Sequence, residues 1–247
     1  MNDKDFIRPT IFRHLGDVCC AVSTKNGGVS PGSMGMNLSF KVEDTDENVR
    51  ENRRRMFSAL EISLDNVAFT EQVHSTVVIN IDTPGIHGRC DALITTKKGL
   101  YCAVSIADCV PVFLVDAKNS AIAAIHSGWR GSDGGIVEKS VNEMTRFFRS
   151  DPANILAYLG PSAGVCCYEI GEDVARRFEN VFVKRIGSKG FLDLRSVITS
   201  QLLQSGLQER NIETSQYCTI CDAELFHSYR RDKEKSGRML GVIGIRP

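Results

Sequence analysis

The sequence contains no apolar run long enough to cross a bilayer, because its longest hydrophobic stretches are of strand length and are broken by Asp, Lys or Gly. Its start, MNDKDFIRPT, is too polar for a signal peptide, so a soluble, cytoplasmic protein with no membrane partner is expected. An excess of one charge is missing as well. Lys+Arg and Asp+Glu are equal at 30 each, which removes any global electrostatic reason to expect a nucleic-acid partner. There is no low-complexity tract, no repeat of about twenty residues or more and no Pro- or Ser-rich linker, so residues 1–247 are read as a single domain.

What is present suits a real core: 42% of residues are hydrophobic and 24% charged. Nine cysteines are many, but the chain is too long for a disulfide scaffold. Cys19, Cys20 and Cys102 lie in VCCAVS and LYCAVSIA, where a free thiol acts as a small hydrophobe, and Cys90 in HGRCDALIT is read as packing. Cys218 and Cys221 form a CxxC that stands alone in the sequence, a weak signal for either redox chemistry or half of a zinc site.

Short strands dominate the first half, at 18–25, 75–82, 91–96 and 99–107. A helix from about Asp44 to Leu60 interrupts them. Asp44 and Glu47 resemble a capping box, Val49, Met56 and Leu60 give an apolar stripe, and Arg53, Arg54 and Arg55 read as a solvated face. Later come a helix over Gly134–Phe148, a strand ILAYLG and a loop GPSAGVCCYEIG leading into a helix. A helix capped by Asp193 and stopped by Gly206 follows, and MLGVIGIR closes the chain as a strand. Strands grouped early and helices interspersed later predict an α+β fold with mixed sheets.

The most informative stretch is IADCVPVFLVDAKNSAIAAIHSGWRG, read as strand, turn and strand. A turn centred on Lys118 and Asn119 sets Pro111 opposite His126 and places Cys109 diagonal to His126 on one face, with β-carbons roughly 7 to 8 Å apart. A register shift of one residue would separate them. Histidine is scarce, at five. His14 and His87 lie in loop-like contexts, His227 sits among aromatic residues and arginines, and His74 begins a strand after Glu71-Gln72. His74, Cys109 and His126 together would make a three-ligand set suited to Zn²⁺ with a fourth position open. Equally, Cys109 and His126 alone could serve as nucleophile and base.

The motifs GMNLSF, ENVRENRRR, TEQVHS, DALIT, ADCVPVFLVD, AAIHSGWRG, LGPSAGVCCYEIG and HSYRRDKEKSGRM, in this order over nearly the whole chain, resemble the YfiH/laccase-domain family. The resemblance implies that His74, Cys109 and His126 are catalytic zinc ligands in an αββα-type layered sandwich. It also implies phosphorolysis of adenosine, inosine or methylthioadenosine, together with adenosine deamination, so that purine nucleosides and phosphate would be the partners. The family has also been called laccase-like. Copper is the lesser expectation, because five histidines with only two near a ligand cluster cannot populate several imidazole-rich copper sites.

For this chemistry Asp108 or Glu71 would be the general acid or base. Arg130, in a Gly-flanked loop, is the first phosphate candidate or else a structural ion pair, with Arg230 and Arg231 next. Asn37 could bind a sugar or base, or hold its own turn. Other readings are a Cys–His hydrolase acting on an amide or ester such as a cell-wall precursor, and a non-enzymatic metal- or redox-sensing module.

Overall fold

A computed structural model describes residues 5–247; the part of the polar start formed by residues 1–4 lies outside the described residues. The strands are β1 (Phe6–Ile7), β2 (Val18–Ser23), β3 (Val67–Thr70), β4 (Val78–Asn80), β5 (Gly85–His87), β6 (Ala92–Thr95), β7 (Tyr101–Ile106) and β8 (Val110–Asp116). They continue as β9 (Ala121–Ser127), β10 (Leu156–Leu159), β11 (Glu169–Ile170), β12 (Val183–Ile186), β13 (Lys189–Leu192), β14 (Ile212–Thr214) and β15 (Met239–Ile245). The helices are α1 (Asp46–Ala59), α2 (Trp129–Asp133), α3 (Ile136–Phe148), α4 (Glu172–Ala175), α5 (Leu194–Gln204) and α6 (Tyr229–Asp232).

Two six-stranded sheets form, in the orders β1-β2-β15-β7-β3-β5 and β14-β10-β8-β9-β6-β4, beside a small sheet β11-β13-β12. Both large sheets are mixed: β3 runs parallel to β5 and β7, β4 parallel to β6 and β10 parallel to β14. The period-2 alternation of strand side chains sorts neighbouring residues into different layers. Phe113 and Val115 of β8 join Cys20, Val22, Cys102, Val104 and Ile243 in a core between the sheets. Val110, Val112 and Leu114 point the other way, onto Ile136, Val141 and Met144 of α3 and Ile198 and Leu202 of α5. Cys19, Ala21, Ala103 and Val242 back onto Met56 and Phe57 of α1. The result is the αββα layering in an α+β fold. Gly241 is required at the sheet–sheet contact, since a β-carbon there would lie 2.6 Å from Phe113 Cζ. Cys19, Cys20, Cys90 and Cys102 are buried thiols. Among the described residues no helix is long and apolar enough to cross a membrane.

The hairpin β8–β9 has the expected register, Pro111 opposite His126. Other expectations shift for local reasons. The strand at 75–82 shrinks to β4, because Val73, His74 and Ser75 give their N–H groups to the Asp91 carboxylate rather than to a ladder. Helix α1 is capped by Thr45, whose side chain accepts from Asn48 N–H, and not by Asp44. The Asp44 carboxylate is spent on Ser30 Oγ, Asn37 Nδ2 and Asn48 Nδ2. Arg53 departs from the solvated face: it donates to Leu38 O and stacks over Phe40 and Phe69 at 4.6 and 4.5 Å, while Arg54 and Arg55 pair with Glu51. Asp193 caps α5 by accepting from Ser196 N–H, and Gly206 beyond its end takes φ +98°. The helix expected after the GPSAG loop is the single turn α4.

Candidate metal centre

His74 lies on the loop between β3 and β4, Cys109 immediately precedes β8, and His126 is the penultimate residue of β9. The ligand atoms of these three all lie within 4.8 Å of one another, so the residues expected from the sequence do converge. His74 is exposed, Cys109 intermediate and His126 buried, so the group faces outward from a sheet end. The imidazole rings of His74 and His126 sit edge to face, with centroids 4.9 Å apart.

Three backbone features make this approach possible. His74 and Asp108 hold φ of 57° and 88°, uncommon for residues with a β-carbon; the first belongs to the cluster and the second precedes Cys109. Gly128 packs directly on it: a β-carbon there would lie 2.8 Å from Cys109 Sγ and 3.0 Å from His74 Nδ1. Gln72 ties the His74 loop to β7, donating through Nε2 to Ser105 O and accepting through Oε1 from Ser105 N–H, both at 2.7 Å.

Asp91 is the residue that sequence reasoning missed. It is fully buried, and its Oδ1 accepts from His126 Nδ1 at 2.8 Å and from His74 N–H at 3.1 Å. Oδ2 accepts from Ser75 N–H at 2.6 Å and Ser75 Oγ at 2.8 Å. Engaging His126 through Nδ1 leaves Nε2 for the cluster, the usual outer support of a metal-bound imidazole. The signal was available in the Asp that opens DALIT. Burial acts to lower the His126 pKa, but the Cys109 sulfur and the Asp91 carboxylate outweigh it and hold the ring at about 9. His74 is shifted down by burial and by His126. Burial acts to raise Asp91, yet its bonds from His126 and Ser75 bring it to about 2. Two nitrogens and a sulfur, backed by a carboxylate and brought together over a glycine, can hold a metal ion.

Asp108 is buried and its carboxylate is occupied by Thr219 Oγ1 at 2.7 Å and Arg230 N–H at 2.6 Å, whereas Glu71 is exposed. Arg230 lies over the Tyr168 ring at 5.1 Å, and the positive charge of exposed Arg130, itself 4.3 Å above the Trp129 ring, reaches His74. Arg231 is fully engaged with Asp232 and the carbonyls of Thr219, Ile220 and Phe226, which leaves it no donor for phosphate. Asn37 is likewise consumed, donating to Ser39 O and Asp44 and accepting from Ser39 and Arg238 N–H; it has the turn-holding role of its two readings. Arg238, overlooked in the sequence, is partly buried near Asp108 and Cys109, and burial lowers its pKa while those two groups raise it. Cavities of about 160 and 410 Å³ beside Arg177 and Lys97 include none of the three converging residues.

An αββα protein with an outward-facing His-Cys-His cluster is the class these observations define. Residues 19–246 match the family model described as multi-copper polyphenol oxidoreductase laccase, and the chain belongs to that family. It is 36% identical over 236 residues to the purine nucleoside phosphorylase YfiH of Escherichia coli K12, covering 92% of this chain and 94% of that one. With a purine nucleoside phosphorylase of Corynebacterium glutamicum it shares 38% identity over 233 residues, covering 90% and 92%. The crystal structure of YlmD from Geobacillus stearothermophilus superposes with a TM-score of 0.92 at 28% identity, covering 100% and 98% of the two chains.

Proposed function

We propose that this protein is a zinc-dependent purine nucleoside phosphorylase that also deaminates adenosine and accepts methylthioadenosine. The convergence of His74, Cys109 and His126 over Gly128 carries this reading, and the phosphorylase names of its relatives support it. His74, Cys109 and His126 would hold the zinc, which supplies Lewis-acid chemistry and water activation near neutral pH. The donor set fits zinc better than a multicopper centre, because His14, His87 and His227 belong to no metal-ligand group among the described residues.

The chain's own groups then have defined tasks. Asp91 fixes the His126 ring, and with it the direction of Nε2. Asp108, held by Thr219 and Arg230, sits next to Cys109 as the group to exchange a proton with the purine or its leaving base. Arg130, Arg230 and Arg238 supply positive charge for phosphate, with Arg130 and Arg230 free to reach solvent. Adenosine incubated with and without phosphate tests the reading. Phosphate-dependent adenine marks phosphorolysis and phosphate-independent inosine marks deamination; absence of both, with Cys109→Ala matching the parent, refutes it.

One observation favours a second reading. The Cys109 sulfur lies within 4.8 Å of a His126 ring nitrogen, and His126 Nδ1 meets Asp91 at 2.8 Å, an ordering of nucleophile, base and orienting carboxylate. Protein that carries no metal at His74 and whose Cys109 alkylates readily would select this hydrolase over the phosphorylase.

A further inference from the structure

The CxxC that stands alone in the sequence is not alone in space. Cys166 and Cys167, on the loop after β10, meet Cys218 and Cys221, and the four sulfurs all lie within 4.8 Å of one another. Cys221 Sγ is 3.1 Å from Cys167 Sγ and 3.5 Å from Cys166 Sγ, and all four thiols are free. Tetrahedral zinc with sulfur at about 2.3 Å separates its ligands by about 3.8 Å, so the four thiols are already spaced for one ion. We infer that Cys166, Cys167, Cys218 and Cys221 form a second, structural zinc site, separate from the His74–Cys109–His126 cluster.

Two features beyond the spacing favour a metal. The backbone N–H of Gly164 points at the Cys218 sulfur and donates to it at 3.3 Å. An amide donated to the first sulfur of a Cys-x-x-Cys turn stabilises a thiolate, the form that binds metal. Arg195 supplies the second. It is partly buried and donates to Ser162 Oγ and to the carbonyls of Ser162, Ser215 and Tyr217, but forms no ion pair among the described residues. Its charge acts on Cys218 and Cys166. Four thiols that release their protons to solvent around one Zn²⁺ leave a centre with two negative charges, the counter-charge Arg195 lacks. All four ligand positions are filled by protein, so the site is closed and would not activate water.

The site's place in the fold gives it a task. Thr219, between the two cysteines of the turn, donates to Asp108, and Ala163 N–H donates to Asp108 O. A metal joining the 166–167 and 218–221 loops therefore fixes the backbone and carboxylate that precede Cys109.

The test is zinc content of protein purified under reducing conditions without added metal, read in a Cys109→Ala background so that the first cluster no longer contributes. We expect one zinc per chain there, lost on adding Cys166→Ser or Cys221→Ser. Cobalt exchanged into the Cys109→Ala protein should show the intense thiolate charge-transfer bands of a four-sulfur tetrahedral site, which needs no change to the cluster and so covers variants that fail to fold. Zinc-free Cys109→Ala protein, zinc retained in both serine variants, or a Cys167–Cys221 disulfide in the reduced preparation would overturn the site. Nucleoside turnover is not the readout, so the result stands apart from the fate of the phosphorylase reading.

Discussion

Asp91 Oδ1 accepts a hydrogen bond from His126 Nδ1 at 2.8 Å, and the same carboxylate collects the N–H groups of Val73, His74 and Ser75. One buried side chain thus aims an imidazole on β9 and shapes the loop that carries the other. Replacing it with alanine frees the His126 ring and leaves three amides without their acceptor. Zinc affinity in Asp91→Ala should fall by about 10- to 100-fold, measured by competition with a chromogenic chelator, and Asp91→Asn should fall between variant and parent. Affinity within twofold of the parent would remove Asp91 from the site.

Gly128→Ala separates metal binding from stability. The added methyl would lie 2.8 Å from Cys109 Sγ and 3.0 Å from His74 Nδ1, and both atoms belong to side chains that can rotate away. They would move out of the ligand position at little cost to the fold. We expect zinc occupancy to drop while the thermal midpoint shifts by no more than about 4 °C, the equivalent of about 1 to 2 kcal/mol for a chain of this size. Full occupancy with an unchanged midpoint would show that the cluster is looser than its contacts indicate.

The hairpin was legible because it is local: two apolar runs around Asp116–Ser120 set a register that β8 and β9 keep. The layered core followed from period-2 alternation along strands such as β8. Contacts between distant segments left no such trace. Asp91 carries the same letter whether it faces water or anchors His126, and Arg231 looks as available as Arg230 until the carbonyls of Thr219, Ile220 and Phe226 surround it. The four-cysteine cluster was hidden for the same reason, since Cys166 and Cys221 are 55 residues apart.

Asn52 is a further long-range case, and it sets stability. Fully buried on α1, it accepts from Val29 N–H at 2.8 Å and donates to Ser30 Oγ, Gly35 O and Asn37 O. It holds the 28–37 loop against the helix. Asn52→Ala leaves these buried groups without partners and should cost about 3 kcal/mol, read as a lower urea midpoint at an unchanged slope. A loss below about 0.5 kcal/mol would mean that water replaces the side chain.

His227 should make the protein acid-sensitive. The side chain is 2% exposed, its Nε2 has no hydrogen-bond partner among the described residues, and Gly237 packs against the ring. Burial, reinforced by the charges of Lys25 and Arg238 and opposed by a bond with the Met36 backbone and by Asp232, lowers its pKa to about 4. In the unfolded chain it titrates near 6.5. Between these values the unfolded state binds the extra proton, so stability is complete above about pH 6.5 and declines as pH falls toward 4. The full difference corresponds to roughly 3 kcal/mol. His227→Phe keeps an aromatic ring against Gly237 and removes the titrating group, so urea unfolding at pH 7 and pH 4.5 should show a smaller acid loss in the variant than in the parent. Equal losses in both would place the proton uptake elsewhere, in the carboxylates rather than in this buried ring.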